Sequence, residues 1–505
     1  MAENKTTRRN FLELSGAALA GLAIPAATNA ASAAPQAAAS GASGTVDLPA
    51  LTIADAAARI RGKQLSPVEL TEAVLERIAA LDPKVGAFIT VAEGQARAAA
   101  RTAETEIQQG RYRGLLHGIP VGLKDTFYTR GIRTTAATAV LKDFIPSFDA
   151  TIVRRLKDAG AIIIGKTRLP EFSFGGYTPG ANNPWDLTRN AGGSSGGSGA
   201  ALAASMLLGA TGGDTSGSIR NPASNCGVVG HKPTFGLVPR YGVVPISWTL
   251  DHLGPLARTV EDAAILLKAM AGYDPNDNFS AQVPVPDYPR LLRRSIRGMR
   301  AGIFPISAYD DFYGETKAAY QRAVEVIESL GVEIHEVQMT PVMEVASAAH
   351  TIIRICDAAA YHRQYLLTQA DQYGSDDDGA AEVSRVRTTV EAGSLLTAAQ
   401  YLRAQQVRRV FIHDLLRMMG TLDVFLSPTM PSPSGVNIDP KESYRGWHNL
   451  SGFPAISLPC GFSTSPPSLP IGLQIAAKPF QDATALALAY AYESATDWHQ
   501  RRPVL

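Results

Sequence analysis

Residues 192–220 read GGSSGGSGAALAASMLLGATGGDTSGSIR, in which two segments rich in Gly and Ser enclose an Ala-rich apolar run. The run from Ala200 to Leu208 has a helical pattern, and apolar residues continue after the second segment. Clusters of Gly and Ser usually form flexible surface loops, but a loop held between two buried elements is seldom a mere linker. The stretch therefore predicts two loops that the fold pins in place.

The two segments contain the parts of an acyl-transfer site. Glycines let backbone N–H groups crowd around one point, and serines supply hydroxyls. A serine hydroxyl needs a base before it acts as a nucleophile, and neither segment contains a histidine. Upstream, a short apolar stretch ends in Lys124 and Asp125. A lysine buried at the end of a strand is held neutral and then accepts protons, so Lys124 is the candidate base.

Other kinds of site fit these residues less well. Residues 193–197 match GxSxG, but that nucleophile elbow follows an apolar strand, and residues 183–190 are polar and predict no strand. No Gly-Lys-Ser/Thr follows the glycines, as a phosphate-binding loop requires. The histidines lack metal-ligand spacing, and Cys226 is predicted to be a buried core residue. We therefore expect neither a metal nor a cofactor.

The rest of the chain alternates helical and strand patterns. Ser66 is a helix cap with Pro after it and Glu three residues later, which predicts a helix over 67–80. A second amphipathic helix is predicted over 150–159, followed by a buried strand over 161–165. Similar short apolar runs recur to the end of the chain. This alternation predicts one large α/β domain with a mixed, mostly parallel central sheet and helices on both faces.

Composition narrows the class of protein. The chain has 505 residues, of which 45% are apolar and 18% charged, so it can bury a large core. Its formal net charge is +1, which gives no electrostatic excess to attract a polyanion, and we expect no nucleic acid partner. The three cysteines are far apart and indicate neither a zinc site nor a disulfide framework.

The N-terminus has the pattern of an export signal. Arg8 and Arg9 precede a modestly apolar run over 14–27 that is followed by small residues. This predicts a twin-arginine signal over 1–33, a flexible tether over 34–47 and the folded domain over 48–505. The apolar run is shorter than the roughly 20 residues that span a bilayer, so no stable membrane anchor is expected. The protein is then expected in the periplasm or outside the cell.

The order of the motifs resembles the amidase signature family. Residues 192–198, 214–223 and 227–234 follow its signature, and GIPVGLKD at 118–125 is similar to its lysine motif. The likeness extends to RYGV at 240–243 and NLSGFPA at 449–455, and covers about residues 50–495.

This resemblance implies a Ser–cis-Ser–Lys triad. By position, Ser218 is the nucleophile, Ser194 is the bridging serine on a cis peptide bond, and Lys124 is the general base. The oxyanion hole is implied to consist of backbone N–H groups of Thr215, Ser216, Gly217 and Ser218. The family commonly has two glycines before the nucleophile, where this chain has Ser216-Gly217. The substitution bears on substrate preference more than on mechanism.

The implied function is hydrolysis of a carboxylic amide to a carboxylate and ammonia or an amine, without cofactor or metal. The substrate is expected to be a small-molecule or peptide amide, while its identity and the oligomeric state stay open. One alternative is the amidase subunit of a tRNA-dependent amidotransferase, a member of the same family that works in the cytoplasm with partner subunits. The other is a non-catalytic binding protein on the same fold. The export signal argues against the first, and the intact Lys124, Ser194 and Ser218 argue against the second.

Overall fold

The apolar runs of the sequence form one large mixed sheet in a computed structural model that describes residues 46–374, 384–436, 446–464 and 466–505. These residues belong to one compact unit. The predicted signal over 1–33 and the boundary of the tether at 34 lie outside the described residues. Among the described residues, no helix is long and apolar enough to cross a membrane.

The strands are short, and most are buried along their whole length. They are β1 (Phe88–Val91), β2 (Pro120–Lys124), β3 (Ile162–Thr167), β4 (Asn182–Asn183), β5 (Asp186–Asn190), β6 (Gly209–Asp214), β7 (Val229–Lys232), β8 (His252–Ala257), β9 (Arg300–Ile303), β10 (Glu333–Glu336), β11 (Val424–Pro428), β12 (Ala455–Phe462) and β13 (Pro470–Ala477). Eleven of them form the main sheet in the order β1-β3-β2-β6-β8-β7-β12-β13-β11-β9-β10, and β4 pairs with β5 separately.

The mixed α/β sheet is confirmed, but parallel pairing is confined to two parts of it. The pairs β2–β3, β2–β6, β9–β10 and β9–β11 are parallel, and the strands between these two groups pair antiparallel. The sheet is therefore less parallel than the sequence predicts. Strands such as β12 and β13 follow one another without a helix, and a direct connection of that kind joins antiparallel neighbours.

Helices flank this sheet. They are α1 (Ile53–Arg61), α2 (Pro67–Val85), α3 (Glu93–Gln108), α4 (Thr151–Asp158), α5 (Gly196–Ala203), α6 (Arg220–Cys226), α7 (Val260–Met270), α8 (Tyr288–Leu291), α9 (Gly314–Ser329), α10 (Pro341–Glu344), α11 (Ala346–Gln369), α12 (Arg385–Leu395), α13 (Ala398–Met419), α14 (Trp447–Ser451) and α15 (Asp482–Ser494). Helix α2 begins with the predicted capping box, in which Ser66 and Glu69 each bond the other's backbone.

The first Gly/Ser segment is packed against backbone on its way into α5. This helix begins at Gly196, earlier than the predicted Ala200, so the second pair of glycines belongs to its first turn. A Cβ at Gly197 would lie 2.4 Å from the carbonyl oxygen of Ala87, which only glycine avoids. Before the segment, β5 forms a short hairpin with β4 where no strand was predicted. Strand β5 is polar and partly exposed, and so differs from the buried strand of a nucleophile elbow.

The second segment joins β6 to α6 inside the core. Ser218 lies in the turn between them, and every residue of α6 is buried. Helices α11, α12 and α13 pack on one another. Asp357 of α11 fastens this layer by accepting hydrogen bonds from the hydroxyls of Ser247 (2.6 Å) and Thr249 (2.8 Å). The fold thereby brings α11, which follows Ser218 by more than 120 residues, to the turn that holds that serine.

Candidate active site

Lys124 and Ser194 are in direct contact inside the protein. Lys124 is the last residue of β2, and Ser194 follows a cis peptide bond with Gly193, as the family resemblance implies. Lys124 Nζ donates a hydrogen bond to Ser194 Oγ at 2.8 Å, and both side chains are fully buried. The two residues that were predicted as base and relay therefore form a connected pair.

The surroundings of Lys124 favour its neutral form. Burial lowers the pKa of Lys124 to about 7, although the nearby carboxylates Asp251 and Asp214 act in the opposite direction. An amine with this pKa is largely unprotonated at a slightly alkaline pH and can accept a proton from the hydroxyl it touches. The environment thus supplies what a histidine would supply in other serine enzymes.

Ser218 lies beside this pair, at the boundary of burial. Its side chain is 9% exposed, and its carbonyl oxygen accepts a hydrogen bond from the N–H of Ser195 at 3.2 Å. This bond holds the two Gly/Ser segments together. Among the hydrogen bonds of the described residues, none joins the hydroxyls of Ser218 and Ser194. Catalytic hydrogen bonds are often long or poorly aligned before a substrate is bound, so this geometry is compatible with a relay.

The turn before Ser218 presents backbone N–H groups, but one of them is occupied. The N–H of Gly217 donates to the carboxylate of Asp214 at 2.7 Å. Within the described part of the chain, the N–H groups of Thr215, Ser216 and Ser218 have no hydrogen-bond acceptor. Of the four predicted oxyanion donors, these three are free to bind a developing oxyanion, whereas Gly217 shapes the turn.

Asp214 is held by Arg220, as an ion pair that the sequence suggests. Arg220 Nη2 lies 3.0 Å from Asp214 Oδ1, with both side chains fully buried. Burial alone would raise the pKa of Asp214, but the Arg220 charge outweighs it and holds that pKa well below its usual range. Arg220 also donates to Gln474 at 2.6 Å and to Asn449 at 2.8 Å. This cluster, the Arg220 network, fixes the ends of the turn that carries Ser218.

Two further residues, Asp251 and His350, brace the turn, and neither role follows from the sequence. Thr215 donates its hydroxyl to Asp251 at 2.6 Å, and the Thr215 carbonyl oxygen lies 2.8 Å from Nε2 of His350. A carbonyl can only accept, so Nε2 of His350 carries the proton. The same nitrogen is 3.3 Å from the Ser216 hydroxyl. Because His350 is 135 residues away from Thr215, no local pattern in the sequence points to this contact.

Two cavities meet at this site. The first, of about 440 Å³, is lined by Lys124, Ser194 and a set of aromatic rings, and we name it the aromatic chamber. Its rings are Tyr128, Phe148, Tyr241, Trp248, Phe279 and Tyr361. The second, of about 360 Å³, is lined by Ser216, Ser218, His350, Arg354 and Arg385, and we name it the arginine chamber. Ser173, Thr215 and Ile246 line both. The predicted triad thus lies where the chambers adjoin.

Other candidates from the sequence are structural residues. Cys226 is completely buried, and burial raises the pKa of its thiol far above the usual value, which suits a core residue and not a nucleophile. Within the described residues, no group of three or more His, Cys, Asp or Glu side chains is arranged to hold a metal ion.

Known proteins resemble this chain over most of its length. The family model described as Amidase matches residues 69–486. A subunit of the glutamyl-tRNA(Gln) amidotransferase of Synechococcus sp. (strain JA-2-3B'a(2-13)) is 42% identical over 470 residues, which cover 88% of this chain and 91% of that protein. The native peptide amidase from Stenotrophomonas maltophilia superimposes with a TM-score of 0.79 at 31% identity, covering 90% of this chain and 98% of that one. A bacterial aryl acylamidase of the amidase signature enzymes gives a TM-score of 0.80 at 26% identity, covering 90% and 99%.

These relatives contradict the predicted export. The amidotransferase name ties its bearers to an aminoacylated tRNA, which is not a substrate of the periplasm or the medium, so the expected twin-arginine export to either place is corrected. The prediction relied on a pair of arginines and a weakly apolar run, a compositional pattern that other N-termini share. Those residues lie outside the described part of the chain.

The relatives also contradict the expected partners. The amidotransferase relatives are subunits of an enzyme with a tRNA in its name, so a substrate limited to small-molecule or peptide amides, with no nucleic acid partner, is the wrong expectation. The expectation relied on the net charge of +1. The charge of one chain does not report which nucleic acid a partner subunit contacts.

Proposed function

This chain belongs to the amidase family, whose members hydrolyse amides, and from that premise we propose that it acts through an acyl-enzyme on Ser218. Residues 48–505 are its proposed catalytic domain. The observation that supports the mechanism most strongly is the buried hydrogen bond of 2.8 Å between Lys124 and Ser194 beside Ser218. A lysine whose pKa is lowered to about 7 has no evident structural purpose at the end of a central strand, whereas a general base requires it.

In the proposed reaction, Ser218 Oγ attacks the carbonyl carbon of the amide. Its proton passes to Ser194, and the Ser194 proton passes to neutral Lys124. The carbonyl oxygen becomes an oxyanion, which the N–H groups of Thr215, Ser216 and Ser218 stabilise. The relay then runs in reverse, so that Ser194 protonates the leaving nitrogen as its bond to carbon breaks. Water hydrolyses the acyl-enzyme by the same path and releases the carboxylate.

Replacement of the nucleophile tests this proposal. Ser218→Ala should lower kcat/KM for amides by several orders of magnitude, about the 10⁶-fold known for other serine triads, because no acyl-enzyme forms. Its thermal unfolding should match that of the unaltered protein. A fluorophosphonate should add to Ser218, as mass spectrometry of the intact and digested protein will show, and should not add to the variant.

Ser195→Ala is the matched control, because that hydroxyl lies next to Ser194 and bonds only with the backbone of Gly213. It should retain both the label and the turnover. Normal turnover by Ser218→Ala would contradict the proposed mechanism.

A second candidate function is supply of ammonia to a transamidation reaction. It is favoured by the 42% identity to a subunit of a glutamyl-tRNA(Gln) amidotransferase over 88% of this chain. The same acyl-enzyme chemistry would then release ammonia to a partner subunit that acts on the charged tRNA. The test combines the full chain with the other amidotransferase subunits and measures Gln-tRNA(Gln) formed from Glu-tRNA(Gln). Absence of a stable complex and of transamidation, with amide hydrolysis intact, would exclude this candidate.

A further inference from the structure

The arginine chamber holds two positive charges that the described part of the protein does not neutralise. Arg354 projects from α11 and Arg385 begins α12, and both line the cavity that contains Ser218. Neither forms an ion pair with any described residue, and the described residues that line the chamber include no Asp or Glu. Burial and the charge of Arg385 lower the pKa of Arg354, which indicates that the two guanidinium groups repel each other. An anion between them would relieve that repulsion, and a guanidinium binds a carboxylate with two hydrogen bonds.

The aromatic chamber has the opposite character. Six rings line it, while its charged residues are already engaged: Arg240 pairs with Asp277 at 3.1 Å, and Asp251 accepts the Thr215 hydroxyl. Tyr241 and Trp248 are 43% and 52% exposed, so this chamber opens to solvent through an aromatic rim. A cavity of about 440 Å³ with such walls suits an apolar or aromatic group.

The positions of the two serines give the chambers distinct tasks. Ser194 lines the aromatic chamber, and in the proposed reaction it protonates the leaving nitrogen. Ser218 lines the arginine chamber, and it binds the acyl carbon. The leaving amine therefore extends into the aromatic chamber, and the acyl chain extends toward Arg354 and Arg385.

We infer that the preferred substrate is an N-aryl amide whose acyl chain ends in a carboxylate. This inference rests on the proposed function and specifies its substrate class. The C–N bond of the anilide breaks, water supplies the hydroxyl of the new acid, and the products are a dicarboxylate and an arylamine. The carboxylate of the acyl chain is held by the arginines, and the ring of the amine is enclosed by the aromatic chamber.

Four amides separate the two halves of the inference. They are glutaryl-p-nitroanilide, pentanoyl-p-nitroanilide, the monoamide of glutaric acid and pentanamide. The full chain should show its highest kcat/KM on glutaryl-p-nitroanilide. A terminal carboxylate should raise kcat/KM for both the anilide and the primary amide, and the aryl group should raise it for both acyl chains.

Variants link each preference to its chamber. Arg354→Gln should lower kcat/KM for glutaryl-p-nitroanilide by about tenfold to a hundredfold, the usual effect of losing a charged hydrogen bond, and should remove the preference over the pentanoyl compound. Arg354→Lys, which keeps the charge, should lose less and covers the case in which the glutamine variant does not fold. Arg403→Gln is the matched control, because Arg403 is exposed on α13 and lines neither chamber.

The aromatic half has its own pair of variants. Trp248→Ala should lower the ratio of kcat/KM for the anilides over the primary amides by about two- to tenfold, as expected for the loss of one aromatic contact. Tyr273→Ala, an exposed ring outside the chamber lining, should leave that ratio unchanged.

Each failure has a different meaning. Equal kcat/KM for glutaryl and pentanoyl anilides, or a carboxylate preference that survives Arg354→Gln and Arg354→Lys, overturns the role of the arginine chamber. Equal kcat/KM for anilides and primary amides overturns the role of the aromatic chamber. Turnover of none of the four amides, with Ser218 still labelled by the phosphonate, overturns the substrate inference alone. Turnover of none without labelling contradicts the proposed function as well.

Discussion

Lys124 is the residue whose surroundings set the conditions for catalysis. Its ammonium form loses the hydration that stabilises charge in water, and the carboxylates Asp251 and Asp214 restore only part of it. The result is an amine poised near neutrality, which Ser194 touches directly. An efficient general base has a pKa close to the working pH, so burial here replaces the choice of a histidine.

The pH dependence of activity follows from this pKa. Because Lys124 must be neutral to accept a proton and its pKa is lowered to about 7, kcat/KM should fall about tenfold per pH unit below roughly pH 6.5 and level off above about pH 8. Burial lowers the pKa of His350 to about 4, so that residue adds no limb in this range. Initial rates on a neutral amide between pH 5 and 9 test the prediction. An acid limb centred near 4, or a limb near 10, would contradict Lys124 as the base.

The sequence identifies residues that act within a motif and misses those that act across the fold. Lys124, Ser194 and Ser218 follow from an ordered set of short motifs, and the structure brings them together. His350 and Arg354 belong to an ordinary helical pattern over 346–369 and carry no local signal. Their importance depends on the packing of α11 over the site, which amino-acid spacing does not encode.

At the scale of elements, local rules are accurate where capping residues are present. Helix α2 begins at Pro67 as predicted because the Ser66 cap is chemically explicit, but it continues to Val85, where Gly86 ends it in a left-handed conformation. Helix α5 begins inside the glycine run, since close packing against Ala87 and Arg168 requires glycine there in any conformation. Tertiary contact thus overrides propensity at the active site.

Helix α11 supports the oxyanion turn through one side chain. His350→Leu removes the hydrogen bond to the Thr215 carbonyl, so the free N–H groups of the turn should lose their alignment. We expect kcat to fall about tenfold to a hundredfold with little change in KM, and His350→Gln, which keeps an N–H donor, to recover part of the loss. Steady-state kinetics on one amide will measure both constants.

His413→Leu is the matched control for this prediction, because that histidine is exposed on α13. It should behave as the unaltered protein does. A rise in KM with kcat unchanged in His350→Leu would show that His350 contacts the substrate and does not position the turn.

At the scale of the whole molecule, the Arg220 network joins distant parts of the sheet to the nucleophile. Arg220 bonds Asp214 at the end of β6, Asn449 of α14 and Gln474 of β13. Two buried charges are tolerated because each polar atom has a partner, and loss of one charge leaves the other unpaired.

Removal of Arg220 should therefore destabilise the entire fold. Arg220→Met should lower the free energy of unfolding by about 3–5 kcal/mol, measured by urea denaturation. Because the pKa of Asp214 is held below its usual range, this loss should be complete above roughly pH 4 and shrink only in stronger acid. Arg290→Met is the control, since its pair with Asp287 is at the surface and should be worth at most about 1 kcal/mol. Equal stability of Arg220→Met and the unaltered protein would contradict the role of the network.

The span of this network also governs when the enzyme becomes active during its synthesis. Arg220 and Gln474 are 254 residues apart, and at roughly 5–20 residues per second a ribosome needs about 13–50 s to add that length. Throughout this interval the nascent chain carries its nucleophilic serine without the partners that fix the turn around it. Amide cleavage therefore begins only when the last strands have been made, and unfinished or truncated chains stay harmless.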